Sequence, residues 1–194
     1  MEYRFRFRQI RFEGDILSRT IRIGMPAGFQ SIIYSLSNML IQASVNRFGT
    51  DTVASWVVLG KVDGINWMIL GALGIASMTF VGQNYGAGRL DRIQKSLKLS
   101  LLIGVSISIV FGGALLLFGW PLFGLFTSDD TVLAMSMQLL WYFAPFYWMF
   151  VPIEIISGAL RGMGDTLIPT IITATGICVF RVAWIYTVVP LHNS

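Results

Sequence analysis

Four ionisable residues stand inside otherwise apolar runs of this sequence: Lys61, Asp63, Glu154 and Arg181. A charge near the centre of a bilayer costs about 2.5–3.5 kcal/mol on insertion scales, so each needs a partner or a wet cavity. Their formal charges cancel, which permits two ion pairs. Lys61 and Asp63 are two positions apart, about 200° around a helix, so they do not face each other. Counted from the cytosolic helix ends at about 1.5 Å per residue, Asp63 lies ~27 Å deep, Arg181 ~21 Å and Glu154 ~10 Å. Those depths allow an Asp63–Arg181 contact. Glu154, beside the helix-disrupting Pro152, is placed to face a cavity open to the cytosol. Two chemistries fit the set. Either all four are structural pairs that hold a bundle together, Glu154 with Lys61 or Arg181, or Glu154 or Asp63 binds H⁺ or Na⁺ and its occupancy changes the helix arrangement.

Tyr34, Asn38, Gln42, Asn66, Trp67 and Met68 are the candidates for lining a substrate cavity. Flat aromatic and polarizable side chains suit varied organic cations. The same residues serve equally as interhelical hydrogen-bonding and packing groups. Other chemistry is poorly represented. Cys178 is the single cysteine and His192 the single histidine, which excludes a disulfide framework and leaves little for a metal cluster. Cys178 is expected to be a small packing residue. HExxH and GxSxG are missing, which argues against an enzyme, and no cofactor is expected. The stretch GQNYGAGR, Gly82 to Arg89, lacks the Lys-Ser/Thr ending of a phosphate-binding loop and follows an apolar run rather than a strand. It is read as a helix ending in a Gly-rich turn.

The elements that must position these residues follow from composition. Of 194 residues, 55% are hydrophobic and 12% charged, with a mean hydropathy of +0.69. Soluble domains have about 25% charged residues, so this chain cannot cover a compact globule with polar surface. Five apolar stretches, about 21–48, 53–81, 97–126, 132–160 and 167–189, are each long enough to cross a hydrocarbon core about 30 Å thick. In lipid the backbone must satisfy its own hydrogen bonds, so all five are expected to be helices. Residues 21–190 then form an all-α integral membrane bundle, and 1–20 a basic segment in the cytosol.

Charge sets the orientation. The N-terminal segment holds six cations, the second connection four (Arg89, Arg92, Lys95, Lys98) and the fourth one (Arg161), eleven of the 14 in the chain. The opposite side has only Arg47, with Asp51, Asp129 and Asp130. Short cytoplasmic loops accumulate Lys and Arg, which predicts a cytosolic N-terminus and an external C-terminus. The N-terminal YRFRFR alternation suits a strand or an amphipathic segment on the membrane surface. Small-xxx-small pairs, Gly60 with Gly64, Gly82 with Gly86 and Gly158 with Gly162, would permit close helix contact.

Several stretches together carry a family likeness: LSRTIRIGMPAGFQS, SWVVLGKVDGINWM, TFVGQNYGAGRLDR, SGALRGMGDTLIPTII and RVAWIY. From about Leu17 onward the chain resembles the multidrug and toxic compound extrusion (MATE) family of cation-coupled efflux transporters. The resemblance implies twelve helices in two six-helix lobes, with this chain matching most of the second lobe. Relative to that pattern a first lobe and the helix after Pro190 are missing, so a truncated chain, inactive alone, is expected. The likeness further implies a secondary active antiporter in a bacterial cytoplasmic membrane. It would exchange organic, often cationic, compounds for H⁺ or Na⁺, with the bilayer and a first lobe or second copy as partners and no nucleic acid. A lipid-linked precursor flippase of the same superfamily, or a non-transporting fragment that docks with a partner lobe, is the alternative. Acidic residues that the family uses in its second lobe align with Tyr34 and Phe150 here, neither acidic, which leaves Glu154, one helical turn from Phe150, as a nearby candidate.

Overall fold

A computed structural model describes residues 13–187 of the chain, without the side chains of Arg19, Ile177, Cys178 and Ile185. All regular structure among these residues is helical. The elements are α1 (Gly14–Val45), α2 (Thr50–Gly86), α3 (Leu90–Phe123), α4 (Asp130–Phe143), α5 (Phe150–Gly162), α6 (Leu167–Thr173) and α7 (Phe180–Thr187). A 3₁₀ stretch, Ala144–Met149, joins α4 to α5, and a π stretch, Ala174–Val179, joins α6 to α7. His192 and the first twelve residues lie outside the described residues. Helix α1 starts within the segment expected to be cytosolic.

Four helical rods are long and apolar enough to cross a membrane: Thr50–Gly86, Leu90–Phe123, Asp130–Gly162 and Leu167–Trp184. Helix α1 has 32 residues, ample length, yet it falls short in apolar content. Gln30, Ser31, Tyr34, Ser35, Ser37 and Asn38 interrupt its middle. Four of the five expected spans are strongly apolar, and the fifth, α1, carries the polar residues of a cavity wall.

Helix α2 is the hub, packed on α5, α3 and α4. Its crossing with α5 is built from glycine. A Cβ at Gly158 would strike the carbonyl of Gly74, one at Gly162 the carbonyl of Met78, and one at Gly82 would sit 3.1 Å from the carbonyl oxygen of Gly162. Of the three small-residue pairs in the sequence, Gly158–Gly162 therefore lies in a close contact. Around Gly60, Gly64 and Gly86 there is open space. On α3, Gly104, Gly112 and Gly119 seat Val151, Ala144 and Met137 in the same manner. Hydroxyls add interhelical bonds: Ser77 donates to the Ile155 carbonyl at 3.1 Å, and Ser55 to that of Val132 at 3.2 Å. Such bonds hold helices together where lipid supplies no hydrophobic driving force.

The Gly-rich turns close alike. Arg89 N donates to Asn84 O at 2.9 Å and Asp165 N to Leu160 O at 2.9 Å, each around a glycine with positive φ, Gly88 at 69° and Gly164 at 92°. This six-to-one closure is a helix C-cap, not a phosphate cradle. At the next helix Asp165 supplies the side-chain bond, its Oδ1 accepting from Ile168 N. Around the bundle, large apolar side chains such as Leu117, Val110 and Phe118 stay exposed on outer faces, a surface suited to acyl chains.

Candidate functional site

A polar cavity of about 510 Å³ is walled by α1, α2, α7 and the α4–α5 junction. Helical spacing explains who lines it. On α1, Tyr34, Asn38 and Gln42 recur every four residues on one face; on α2, Trp56, Asp63 and Trp67 fall at intervals of seven and four. The opposite wall comes from Phe143, Tyr147 and Phe150, which flank or belong to the 3₁₀ stretch, and Arg181 of α7 completes it.

Aromatic edges hold this wall to α2. Trp67 meets Phe150 with ring centroids 5.2 Å apart at 64°, and Trp56 meets Phe143 at 6.0 Å and 67°. Edge-to-face pairs of this kind contribute about 0.5–1.5 kcal/mol beyond their buried area. The Trp67 indole also donates from Nε1 to Asp63 Oδ2 at 2.9 Å, an i to i+4 bond that fixes the carboxylate on the cavity side. Arg181 donates from Nη1 to Asn38 Oδ1 at 3.1 Å and so ties α7 to α1. Gln42 donates along its own helix to Asn46 at 3.0 Å.

Tyr147 differs from its neighbours. It is only 4% exposed, and its hydroxyl makes no hydrogen bond of ordinary length among the described residues. The Asp63 carboxylate is near enough to act on the phenol electrostatically. A buried hydroxyl left without a partner costs about 1–3 kcal/mol, and the neighbouring Asp63 carboxylate is the acceptor available to this phenol.

The structure thus brings together Tyr34, Asn38, Gln42, Asp63, Trp67 and Arg181. Asp63 and Arg181 share the cavity without forming an ion pair; among the described residues the one salt bridge is Arg89–Asp91, 3.3 Å apart and exposed. Lys61 points outward. Asn66 is buried between helices, and Met68, 77% exposed, faces away. Glu154 does not reach the cavity. It lies where α5 crosses α2, with Oε2 3.3 Å from where a Gly74 Cβ would stand. Gly74 is eleven residues beyond Asp63 on α2, about 16 Å along the axis, so the two acidic candidates do not share a site. Nor does Glu154 pair with Lys61 or Arg181 among the described residues.

Comparison with known proteins gives the family. The MatE family model matches residues 26–187. The chain belongs to the MatE family. It is 28% identical over 174 residues, 88% of this chain, to a protein of Bacillus subtilis named "Probable multidrug resistance protein YoeA". A Thermotoga maritima protein named "Probable multidrug resistance protein NorM" is 24% identical over 83% of the chain. A "FAD transporter" of Shewanella oneidensis is 29% identical over 60% of it. The aligned parts are 37%, 35% and 26% of those proteins, so the chain spans about a third of the length of the relatives it matches. MatE proteins are multi-pass membrane transporters, in keeping with the four apolar rods.

Four cavity aromatics, Trp56, Phe143, Tyr147 and Phe150, were not among the sequence candidates. The i to i+7 spacing of Trp56 and Asp63 is a signal that singles out the first. The other three depend on the 3₁₀ stretch. Six residues at 3.0 rather than 3.6 per turn advance the face by roughly 120° relative to an unbroken α-helix.

Proposed function

We propose that this chain forms part of a secondary active antiporter that exports organic compounds, cations among them, in exchange for H⁺ or Na⁺. The observation that carries the reading is the Asp63 carboxylate, held by Trp67 in a cavity of about 510 Å³ with aromatic walls. Such walls attract cations through their π faces, and the carboxylate supplies the opposite charge. The names of the Bacillus and Thermotoga relatives support multidrug substrates. Asp63 is then the acid where a coupling ion and a cationic substrate compete. Glu154, at the glycine crossing of α2 and α5, is the second coupling candidate, placed to respond when the two helices slide. The remaining cavity wall comes from a first lobe or a second copy, and the lobes rock around the shared site in a cytoplasmic membrane with the N-terminus inside.

A flavin-type substrate, as the Shewanella name would suggest, finds one cation in the wall, Arg181, and one opposing carboxylate. A lipid-linked diphosphate meets the same single cation. Both anions fit less well than an organic cation. The test is transport in liposomes by the chain reconstituted with the first lobe of the Bacillus relative. Ethidium export that requires an imposed H⁺ or Na⁺ gradient and collapses in Asp63→Asn supports the reading. Gradient-driven movement of FAD with no effect on ethidium would replace it.

A further inference from the structure

Three contacts fasten the α4–α5 junction to α2, and they are not alike. At its two ends Phe143 meets Trp56 and Phe150 meets Trp67, edge to face. Neither of these contacts involves a charge. Between them stands Tyr147 of the 3₁₀ stretch, buried, with the Asp63 carboxylate as the acceptor available to its phenol. Asp63 also accepts the Trp67 N–H at Oδ2. One carboxylate thus gathers donors from α2 and from the facing wall, and Trp67 in turn bears on Phe150, the first residue of α5. Resting on the antiporter reading above, we propose that Tyr147 is the positioning residue for Asp63 and that its 3₁₀ stretch is the hinge through which a cation bound at Asp63 moves α5.

The stretch is built to yield. Pro145 has no amide hydrogen and interrupts the α-helical ladder between α4 and α5. A 3₁₀ run inside a helical rod has poorer hydrogen-bond geometry and commonly marks a hinge. Behind it, Gly112 of α3 offers a close seat on which the stretch can pivot. A Cβ there would stand 3.1 Å from the Ala144 carbonyl oxygen and 3.7 Å from Tyr147 Cδ2. On the cavity side the charged contact is the one that an ion can alter. An ionised carboxylate accepts hydrogen bonds more strongly than a neutral group does. When a coupling ion or an organic cation occupies Asp63, its oxygens turn to that cation, Tyr147 and Trp67 lose their hold, and the stretch is released. Phe150 opens α5, and Glu154 follows one turn later at the α2 crossing. The two acidic candidates, about 16 Å apart along α2, are linked by this route without sharing a site.

Amide hydrogen exchange over residues 144–150 reads the hinge separately from binding. It is measured by mass spectrometry on the purified chain in detergent, with and without saturating tetraphenylphosphonium. In the wild-type chain the cation should speed exchange there by about tenfold or more, the order expected when a hydrogen bond to a charged acceptor is given up. Tyr147→Phe keeps the buried ring and loses only the hydroxyl. It should exchange at the fast rate without the cation and change no further when the cation is added, whereas a purely packing role for Tyr147 would leave the response to the cation intact. Asp63→Asn should also exchange fast without ligand, which keeps the test decisive if Tyr147→Phe does not yield folded protein. Saturable binding with unchanged exchange in the wild-type chain overturns the hinge while leaving the organic-cation reading in place. Slow, cation-responsive exchange in Tyr147→Phe removes Tyr147 from the positioning role. Failure of tetraphenylphosphonium to bind overturns the hinge and the antiporter reading together.

Discussion

Gly158 of α5 lies against the backbone of Gly74 of α2 so closely that a Cβ on it would overlap the Gly74 carbonyl. The contact sets the distance between the two most extensively packed helices and thereby fixes where Glu154, one turn earlier on α5, meets α2. Backbone cannot retreat as a flexible side chain can. Gly158→Ala is expected to destabilise the bundle by about 1–3 kcal/mol, as overpacking does. Gly60→Ala, with open space around it, should be neutral or slightly stabilising, because alanine is the better helix former by about 1 kcal/mol. Melting of the two variants in one detergent, monitored by monodispersity, checks the contrast.

Glu154 has no ion-pair partner among the described residues. Glu154→Gln should therefore fold and insert normally, while changing the ion dependence of transport in the reconstituted two-lobe protein. Loss of monodisperse protein would show that the carboxylate is structural after all.

The bond from Arg181 to Asn38 is the polar link between α7 and α1. In a double-mutant cycle of Asn38→Ala and Arg181→Met, the coupling should come to about 1 kcal/mol, the size of a single hydrogen bond in a partly open setting. A coupling near zero would mean that α1 and α7 are held by apolar contacts and the Gln30–Thr173 bond instead.

Topology is open to a direct check in chains whose Cys178 is replaced by Ser. A cysteine at Asp15 or Ala87 should react only with reagent admitted to the cytosol, and one at Ser128 with reagent outside, because eleven of 14 cations lie on the side of the first two. Labelling of Ala87→Cys from outside intact cells would invert the arrangement.

Much of this was legible in the residues. Long apolar runs and bare polar loops dictate helices in lipid, and the wording around GKVDG, QNYGAG and LRGMGD carries the family. Asp63 and Trp67 are readable as one face from their spacing of four. The partners of the intramembrane charges were not. Charge balance and depth allowed Asp63 to meet Arg181, but the rotation of α7 hands the guanidinium to Asn38, and the π stretch before it shifts that rotation by an amount no periodicity reveals. Tyr147 was hidden for a related reason: in a chain with 14 Phe, 6 Trp and 6 Tyr, the 3₁₀ stretch after Phe143 decides which aromatic turns inward.

On its own the chain is expected to move no drug, since alternating access needs a second lobe for these helices to rock against. Gradient-dependent ethidium export from liposomes holding this chain alone would point to a transporter assembled from copies of it.

The central claim is that Asp63 makes this cavity a site for organic cations. The most direct measurement is equilibrium binding of tetraphenylphosphonium to the purified chain in detergent, wild type against Asp63→Asn. The account predicts saturable binding that weakens by about tenfold or more in the variant, the order expected when a desolvated charge partner is neutralised. An unchanged Kd in folded Asp63→Asn would contradict it.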